Sequence, residues 1–339
     1  MEAMSGRSAQ RIEKKRSVRG FICLLTALCT WVIFALTGPL AGAQGTPSPP
    51  ASPILTPPPP CFGNSNQGYW LAAADGGVFS FGAAGFFGSM AGHKLNAPIV
   101  AIDSTGIFGY WLVGADGGVF NFGCAAFYGS TGGLHLNAPV VGISSPEYGG
   151  YWLVSADGGV FSFGGTSFFG SMAGQQLSAP IVGMAATDDG QGYWLVGADG
   201  GVFAFGDARY EGSEANKISP PIVAIVATPT LADSYWLVGV DGSVYNFGLA
   251  QQQGSASGTR LAAPIVGMTA IPLLQTCNPG GPGVISTAGY RLVGADGGVF
   301  DYGGAQFLGT ESGHSLAKLI VGIASLEPPA TSCAGGRAG

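Results

Sequence analysis

Charge is scarce in this 339-residue chain: Lys, Arg, Asp and Glu together make up 9% of it, where soluble proteins carry roughly a quarter. Six of the 13 cations fall within the first 20 residues. Everything after residue 43 therefore keeps seven cations against 17 acids, a net formal charge of −10. A nucleic-acid partner needs a basic stripe to neutralise phosphates, so that class is excluded. The same balance argues against peripheral docking on anionic lipid. Histidine is limited to three residues and cysteine to six. No Cys-x-x-Cys, His-Glu-x-x-His, Gly-x-Ser-x-Gly or phosphate-loop pattern occurs, so the sequence offers no metal, cofactor or nucleophile motif. Beyond residue 44 no stretch has a 3.6-residue apolar period, which predicts almost no helix.

Glycine and proline are abundant instead, at 60 and 22. The N-terminus is separate from the rest. Arg7, Arg11, Lys14, Lys15, Arg16 and Arg19 precede an uncharged apolar run from Phe21 to Thr37, and Ala41-Gly42-Ala43 follows Pro39. A basic region, an apolar core and a small-x-small site spell a secretory signal peptide over residues 1–43. Cleavage is expected after Ala43. The alternative is retention as an N-terminal membrane anchor, the only membrane contact through residues 21–43, since the run approaches the minimum length of a spanning helix. Either way the remainder is exported. Residues 44–67 are a Pro-rich linker, a semi-extended spacer because proline fixes φ and removes the backbone donor.

Residues 68–326 are one unit written six times, followed by a tail over 327–339. Tyr69-Trp70-Leu71 recurs at Tyr110, Tyr151, Tyr193 and Tyr235, and as Tyr290-Arg291-Leu292. An Asp-Gly turn follows each time, at Asp75, Asp116, Asp157, Asp199, Asp241 and Asp296. Next come an aromatic pair such as Phe79 and Phe81, a Phe/Tyr-Gly-Ser element such as Phe87-Gly88-Ser89, and a Pro-Ile-Val element such as Pro98-Ile99-Val100. Periods of this size signal an array or propeller. In the fourth unit, Tyr193–Ala198, Val202–Phe205, Arg209–Gly212 and Pro221–Ala227 read as four short strands. Both alternate faces of Tyr-Trp-Leu-Val are apolar, so each sheet is covered on both sides. The first unit has no Pro-Ile-Val strand before it, and the last ends with one at Leu319–Ala324. The expected fold is all-β, a six-bladed β-propeller whose C-terminal strand completes the first blade. The alternative is two tandem β-trefoils, with a break near Thr187.

The run from Gly192 to Gly206 carries Gly-Tyr-Trp-Leu-Val-x-x-Asp-Gly-Gly-Val-Phe-x-Phe-Gly. It resembles the Gly-rich repeats of exported actinobacterial proteins, and the likeness covers residues 68–326. The resemblance implies a secreted, β-propeller-like module, in some members attached to wall hydrolases or esterases.

Outside the leader the cysteines are Cys61, Cys124, Cys277 and Cys333. Export permits disulfides. The propeller model favours Cys277–Cys333, with Cys61–Cys333 as the other pairing, either tethering the closing strand. Cys124 is expected to be a buried thiol. Arg291 stands where other units have tryptophan and needs a partner if buried. Asp301, unique to the same unit, is the expected one.

The turn aspartates are read as structural, because Asp bonds nearby backbone amides in turns. Polar variation concentrates in the connection leading to Pro-Ile-Val: His93, Lys94, Asn96, His135, Asn137, Gln175, Gln176, Lys217, Arg260 and His314. These are the candidate ligand-face residues. No catalytic residue, metal or cofactor is expected. The reading is an exported, monomeric, non-catalytic binding or scaffolding module at the cell surface, its partner a cell-wall glycan or a surface protein. The alternative is a secreted hydrolase or glycosidase using a propeller channel.

Overall fold

A computed structural model describes residues 67–106, 108–146, 149–217, 220–229, 233–271 and 289–326, together with the backbone of 275–276 and 284–285. The leader, nearly all of the Pro-rich linker, the tail, and Cys61, Cys277 and Cys333 lie outside the described residues.

Among the described residues there is no helix. Eighteen strands form six three-stranded antiparallel sheets. The central strand of each sheet is the Tyr-Trp-Leu-Val run: Gly68–Ala73, Gly109–Gly114, Gly150–Ser155, Gly192–Gly197, Tyr235–Gly239 and Gly289–Gly294. It turns through Asp-Gly into a trailing strand: Val78–Gly82, Val119–Gly123, Val160–Gly164, Val202–Gly206, Val244–Phe247 and Val299–Tyr302. On its other edge it pairs with a leading strand that starts at the Pro-Ile-Val element. Five leading strands, Ile99–Ser104, Val140–Ser144, Ile181–Ala186, Ile222–Ala227 and Ile265–Ile271, precede their central strand in the chain. The sixth, Ile320–Ser325, pairs with Gly68–Ala73 at the opposite end of the chain, with Tyr69 facing Ser325 and Leu71 facing Ile323. A minor two-residue ladder joins Gln275–Thr276 to Val284–Ile285.

Each leading strand carries a register shift that leaves its second residue, a valine, as an extra one, as at Val100 between Ile99 and Ala101. The shift recurs at Val141, Val182, Val223, Val266 and Val321. A bulge re-aims side chains locally, which accommodates two adjacent β-branched residues at the strand start.

The core lies between sheets rather than within one. All residues of every central strand are buried. Trp70 and Ala72 of one sheet pack on Ile99, Tyr110 and Leu112 of the next. The same layer recurs around Trp111, Trp152, Trp194 and Trp236. A further layer joins Val293 and Val299 to Tyr69 and Leu71. The residue before each turn aspartate stitches two leading strands together. Ala115 donates its amide to the Pro98 carbonyl and accepts from the Val140 amide. Ala156, Ala198, Val240 and Ala295 repeat the link, and Ala74 makes it between Leu319 and Ile99. The link between the third and fourth units, where a trefoil pair would break, is the same as the others.

The expected third strand of each unit, Arg209–Gly212 in the fourth, does not join a sheet. Its backbone groups are taken by side chains. The Trp194 indole donates to the Arg209 carbonyl at 2.6 Å, and the Glu211 amide donates to the Tyr235 hydroxyl at 3.1 Å. That hydroxyl in turn donates to the Gly212 carbonyl at 2.7 Å. These three backbone groups are satisfied without a ladder partner. Gly212 has a φ of +137°, and a Cβ there would lie 2.6 Å from the Phe247 ring of the following unit, so only glycine fits.

Candidate functional site

The Asp-Gly turns and the connections reaching the leading strands form the candidate face. Each turn aspartate accepts a hydrogen bond from the amide two residues on. For Asp75, Asp116, Asp199 and Asp296 the donor is a glycine at 3.0 Å, for Asp157 it is Gly159 at 3.1 Å, and for Asp241 it is Ser243 at 2.9 Å. In the connections a half-buried leucine anchors the loop to the core, as Leu95, Leu136, Leu177, Leu261 and Leu316 do. Their neighbours are pushed outward. His93, Lys94, Asn96, His135, Asn137, Gln175, Gln176, Lys217, Arg260 and His314 are all exposed.

The structure brings three of these together. Asn137, Gln175 and Gln176 line an open groove of about 620 Å³ with Asp157, Leu177 and Pro180. An equivalent groove of about 460 Å³ lies two units on, between Asp241 and the Gly258–Pro264 connection. The lining of these two grooves does not include His93, Lys94, Asn96, His135, Lys217, Arg260 or His314. Lys217 is held by Glu214 at 2.8 Å, and His314 by Glu311 at 3.1 Å. Glu214 and Glu311 occupy the same place in their units. Among the described residues no group of three His, Cys, Asp or Glu side chains is placed to hold a metal ion.

The far ends of the leading strands carry a second polar set. Asp103 accepts from the Ser145 hydroxyl at 2.7 Å and the Ser104 amide at 3.0 Å. Ser104 donates to the Ser325 carbonyl, and the Ala186 and Ser325 amides donate to Ser144 and Thr269. These contacts tie neighbouring leading strands. Burial pushes the Asp103 carboxyl up to about 6, against the pull of its hydrogen bonds. On the same side, Thr187 donates to Asp189 at 2.9 Å and lies 3.4 Å from Asp207. Burial and the Asp189 charge raise Asp207, while the Gln191 amide and Thr187 lower Asp189.

No family model matches this chain, and no curated protein is significantly similar to it. Its chemistry therefore rests on its own residues.

At the junction of the first and last units, Arg291 takes the tryptophan's place. Its guanidinium donates to the Gln306 carbonyl at 3.0 Å, the position the indoles occupy elsewhere, and to Gln67 at 2.9 Å. It meets Asp301 at 2.7 Å as a buried ion pair, and lies 4.9 Å from the Tyr69 ring centre. Burial lowers Arg291 and raises Asp301, and each partner opposes the shift of the other.

Two features were not legible in the sequence. Cys124 is exposed rather than buried, because it follows Gly123, whose positive φ turns the chain out onto the surface connection. And at one position in five of the six units an aromatic stands in solvent: Phe86, Phe127, Phe168, Tyr210 and Phe307 are 55–63% exposed. Each is the residue before the Phe/Tyr-Gly-Ser position. In the first three units the sequence signal is a doubled aromatic, which does not say which member faces out.

Proposed function

We propose that the chain is an exported, non-catalytic, six-bladed β-propeller, closed by its C-terminal strand, that serves as a binding or scaffolding module at the cell surface. The observation that carries this reading is the recurrence of one exposed loop design on a rigid frame. Leucine-anchored connections hold polar side chains outward, and those side chains vary between units while the frame does not. The links from Ala295 to Ile320 and from Ala74 to Leu319 and Ile99 repeat the links elsewhere, which supports a ring closed across the chain ends. The basic, then apolar, then small-residue leader and the Pro-rich spacer support export and display away from a membrane or wall. The resemblance to exported actinobacterial repeats points the same way.

The competing reading is a hydrolase or glycosidase working from the strand ends. Asp103 favours it, since carboxyls raised by burial concentrate at functional sites. Its hydrogen-bond partners are a hydroxyl and backbone amides, not a second acid or base, and the carboxyl pair on that side, Asp189 and Asp207, is in direct hydrogen-bond contact, closer than the separation of about 5 Å or more that glycoside hydrolysis uses.

The test pairs two measurements on the intact protein: binding to purified cell-wall sacculi and to surface proteins, and turnover of a panel of chromogenic esters and glycosides. Saturable binding without turnover is expected. Turnover that Asp103→Asn abolishes would overturn the reading and make the protein an enzyme.

A further inference from the structure

Exposed aromatics scattered singly on a surface need no explanation. These five are not scattered. Phe86, Phe127, Phe168, Tyr210 and Phe307 occupy one position of the unit, and in the fifth unit that position holds the exposed Gln252. Copying of a repeat does not account for the pattern. The following position, which contacts the neighbouring sheet, has diverged to Phe87, Tyr128, Phe169, Glu211, Gln253 and Leu308, while the exposed position has stayed aromatic five times in six.

The backbone that carries these side chains is also held. The carbonyl just before each one is fixed by a buried side chain: by Trp70 for Phe86, Trp111 for Phe127, Trp152 for Phe168, Trp194 for Tyr210 and Arg291 for Phe307. For the first four, the amide just after is held by the tyrosine of the next unit. A clamp on both sides leaves the aromatic little backbone freedom to lose on binding, the general route to affinity by preorganisation. A hydroxyl follows three residues later every time, as Ser89, Ser130, Ser171, Ser213 and Thr310. In the fourth unit the Tyr210 and Ser213 hydroxyls touch at 3.1 Å.

The aromatic and hydroxyl that meet in the fourth unit suit a ligand with an apolar C–H face and a hydroxylated edge. The aromatics come one to a sheet rather than as one contiguous patch, whereas a protein partner is held by a clustered, fully desolvated hot spot. The net charge of −10 after the leader opposes anionic polymers and anionic lipid. From these observations the geometry points to a belt of five equivalent saccharide-stacking sites, at Phe86, Phe127, Phe168, Tyr210 and Phe307, that binds a neutral polysaccharide multivalently. This inference rests on the binding-module reading and supplies its ligand class.

The test is affinity electrophoresis of the intact protein through gels containing hydroxyethyl cellulose, glycol chitin or glycogen, with flotation on phosphatidylcholine vesicles alongside. The variants are Phe86→Ala, Phe127→Ala and Phe168→Ala, singly and combined, and Gln252→Phe. Retardation by at least one polysaccharide is expected. Each single change should weaken it modestly, and the triple change by roughly tenfold or more, because linked weak sites multiply. Gln252→Phe should strengthen it, and every melting temperature should stay unchanged. Retardation of the triple variant equal to that of the native protein would overturn the belt while leaving the binding-module reading intact. So would a lack of retardation in all three gels, or vesicle binding that the triple variant loses. A fall in melting temperature on substitution would show the aromatics to be structural and would also overturn it.

Discussion

The Tyr69 hydroxyl donates a hydrogen bond to the Gly309 carbonyl, 240 residues away in sequence. Inside the chain the same bond joins Tyr110 to Gly88, Tyr151 to Gly129, Tyr193 to Gly170, Tyr235 to Gly212 and Tyr290 to Gly254. The first and last units thus meet through the bond that holds every other neighbouring pair. The same glycines pack against an aromatic ring of the following unit, and Gly309 packs against Phe81. Contacts of this kind are what turn six copies of a 40-residue unit into one frame.

Tyr69→Phe and Tyr151→Phe should therefore both destabilise. Each removes a donor and leaves a part-buried glycine carbonyl unsatisfied, worth about 1–3 kcal/mol, and Tyr151→Phe also gives up the bond accepted from the Tyr128 amide. Urea unfolding followed by tryptophan fluorescence measures both. A loss at Tyr69 in that range, no larger than the loss at Tyr151, is expected, and a silent Tyr69→Phe beside a costly Tyr151→Phe would mean that the ends do not contribute to stability.

Replacing Arg291 by Trp restores the repeat pattern but strands the buried Asp301 carboxylate. A broken buried pair costs about 3 kcal/mol or more. Adding Asp301→Ser, the residue at the equivalent positions 80 and 162, should recover most of that loss. A double-mutant cycle in urea measures the coupling. Additive losses would show that the pair is not a stabilising unit.

Gly170→Ala should destabilise far more than Gly174→Ala. Gly170 has a φ of +142° and its Cβ would sit 2.5 Å from the Phe205 ring, whereas Gly174 has a φ of +77° with open space around it. The second change incurs only the backbone penalty of about 1 kcal/mol, and the first adds a collision inside a packed layer. Thermal melts of the two variants separate these terms.

Asp103 predicts a pH dependence. Its folded value of about 6 lies above the ordinary 3.8, so between those values the folded state binds the extra proton. Its contribution to stability is fully present below about pH 4 and is lost as pH rises through 6. The difference is worth at most roughly 3 kcal/mol. Asp103→Asn should flatten that fall and make the protein more stable than the native chain at pH 7, as measured by melts from pH 4 to 8. A native profile that does not change on substitution would contradict the assignment.

Much of the frame is legible from residue order alone. The doubly apolar Tyr-Trp-Leu-Val runs are the buried central strands, Asp-Gly marks each hairpin, and the orphan Pro-Ile-Val strand at Leu319–Ala324 pairs with the first unit. A third strand in each unit is predicted but not formed, because period and propensity say nothing of side chains that capture a backbone, as Trp194 and Tyr235 do around Tyr210. The exposed aromatics and the strand-end role of Asp103 escaped for a related reason. Which of two adjacent aromatics faces solvent, and what a lone carboxylate meets, depends on the neighbouring unit. The candidate loop residues, by contrast, are recognisable as departures from a repeated pattern, and Asn137, Gln175 and Gln176 among them share a groove.

The account stands on closure of the ring across the chain ends, and amide hydrogen exchange of the native protein tests that most directly. Closure predicts that the amides of Ile320–Ser325 exchange as slowly as those of the interior leading strand Ile181–Ala186, because both are paired in a sheet and stitched to a neighbour. Exchange of Ile320–Ser325 at the rate of the exposed Gly-Ser connections, with Ile181–Ala186 still protected, would contradict it.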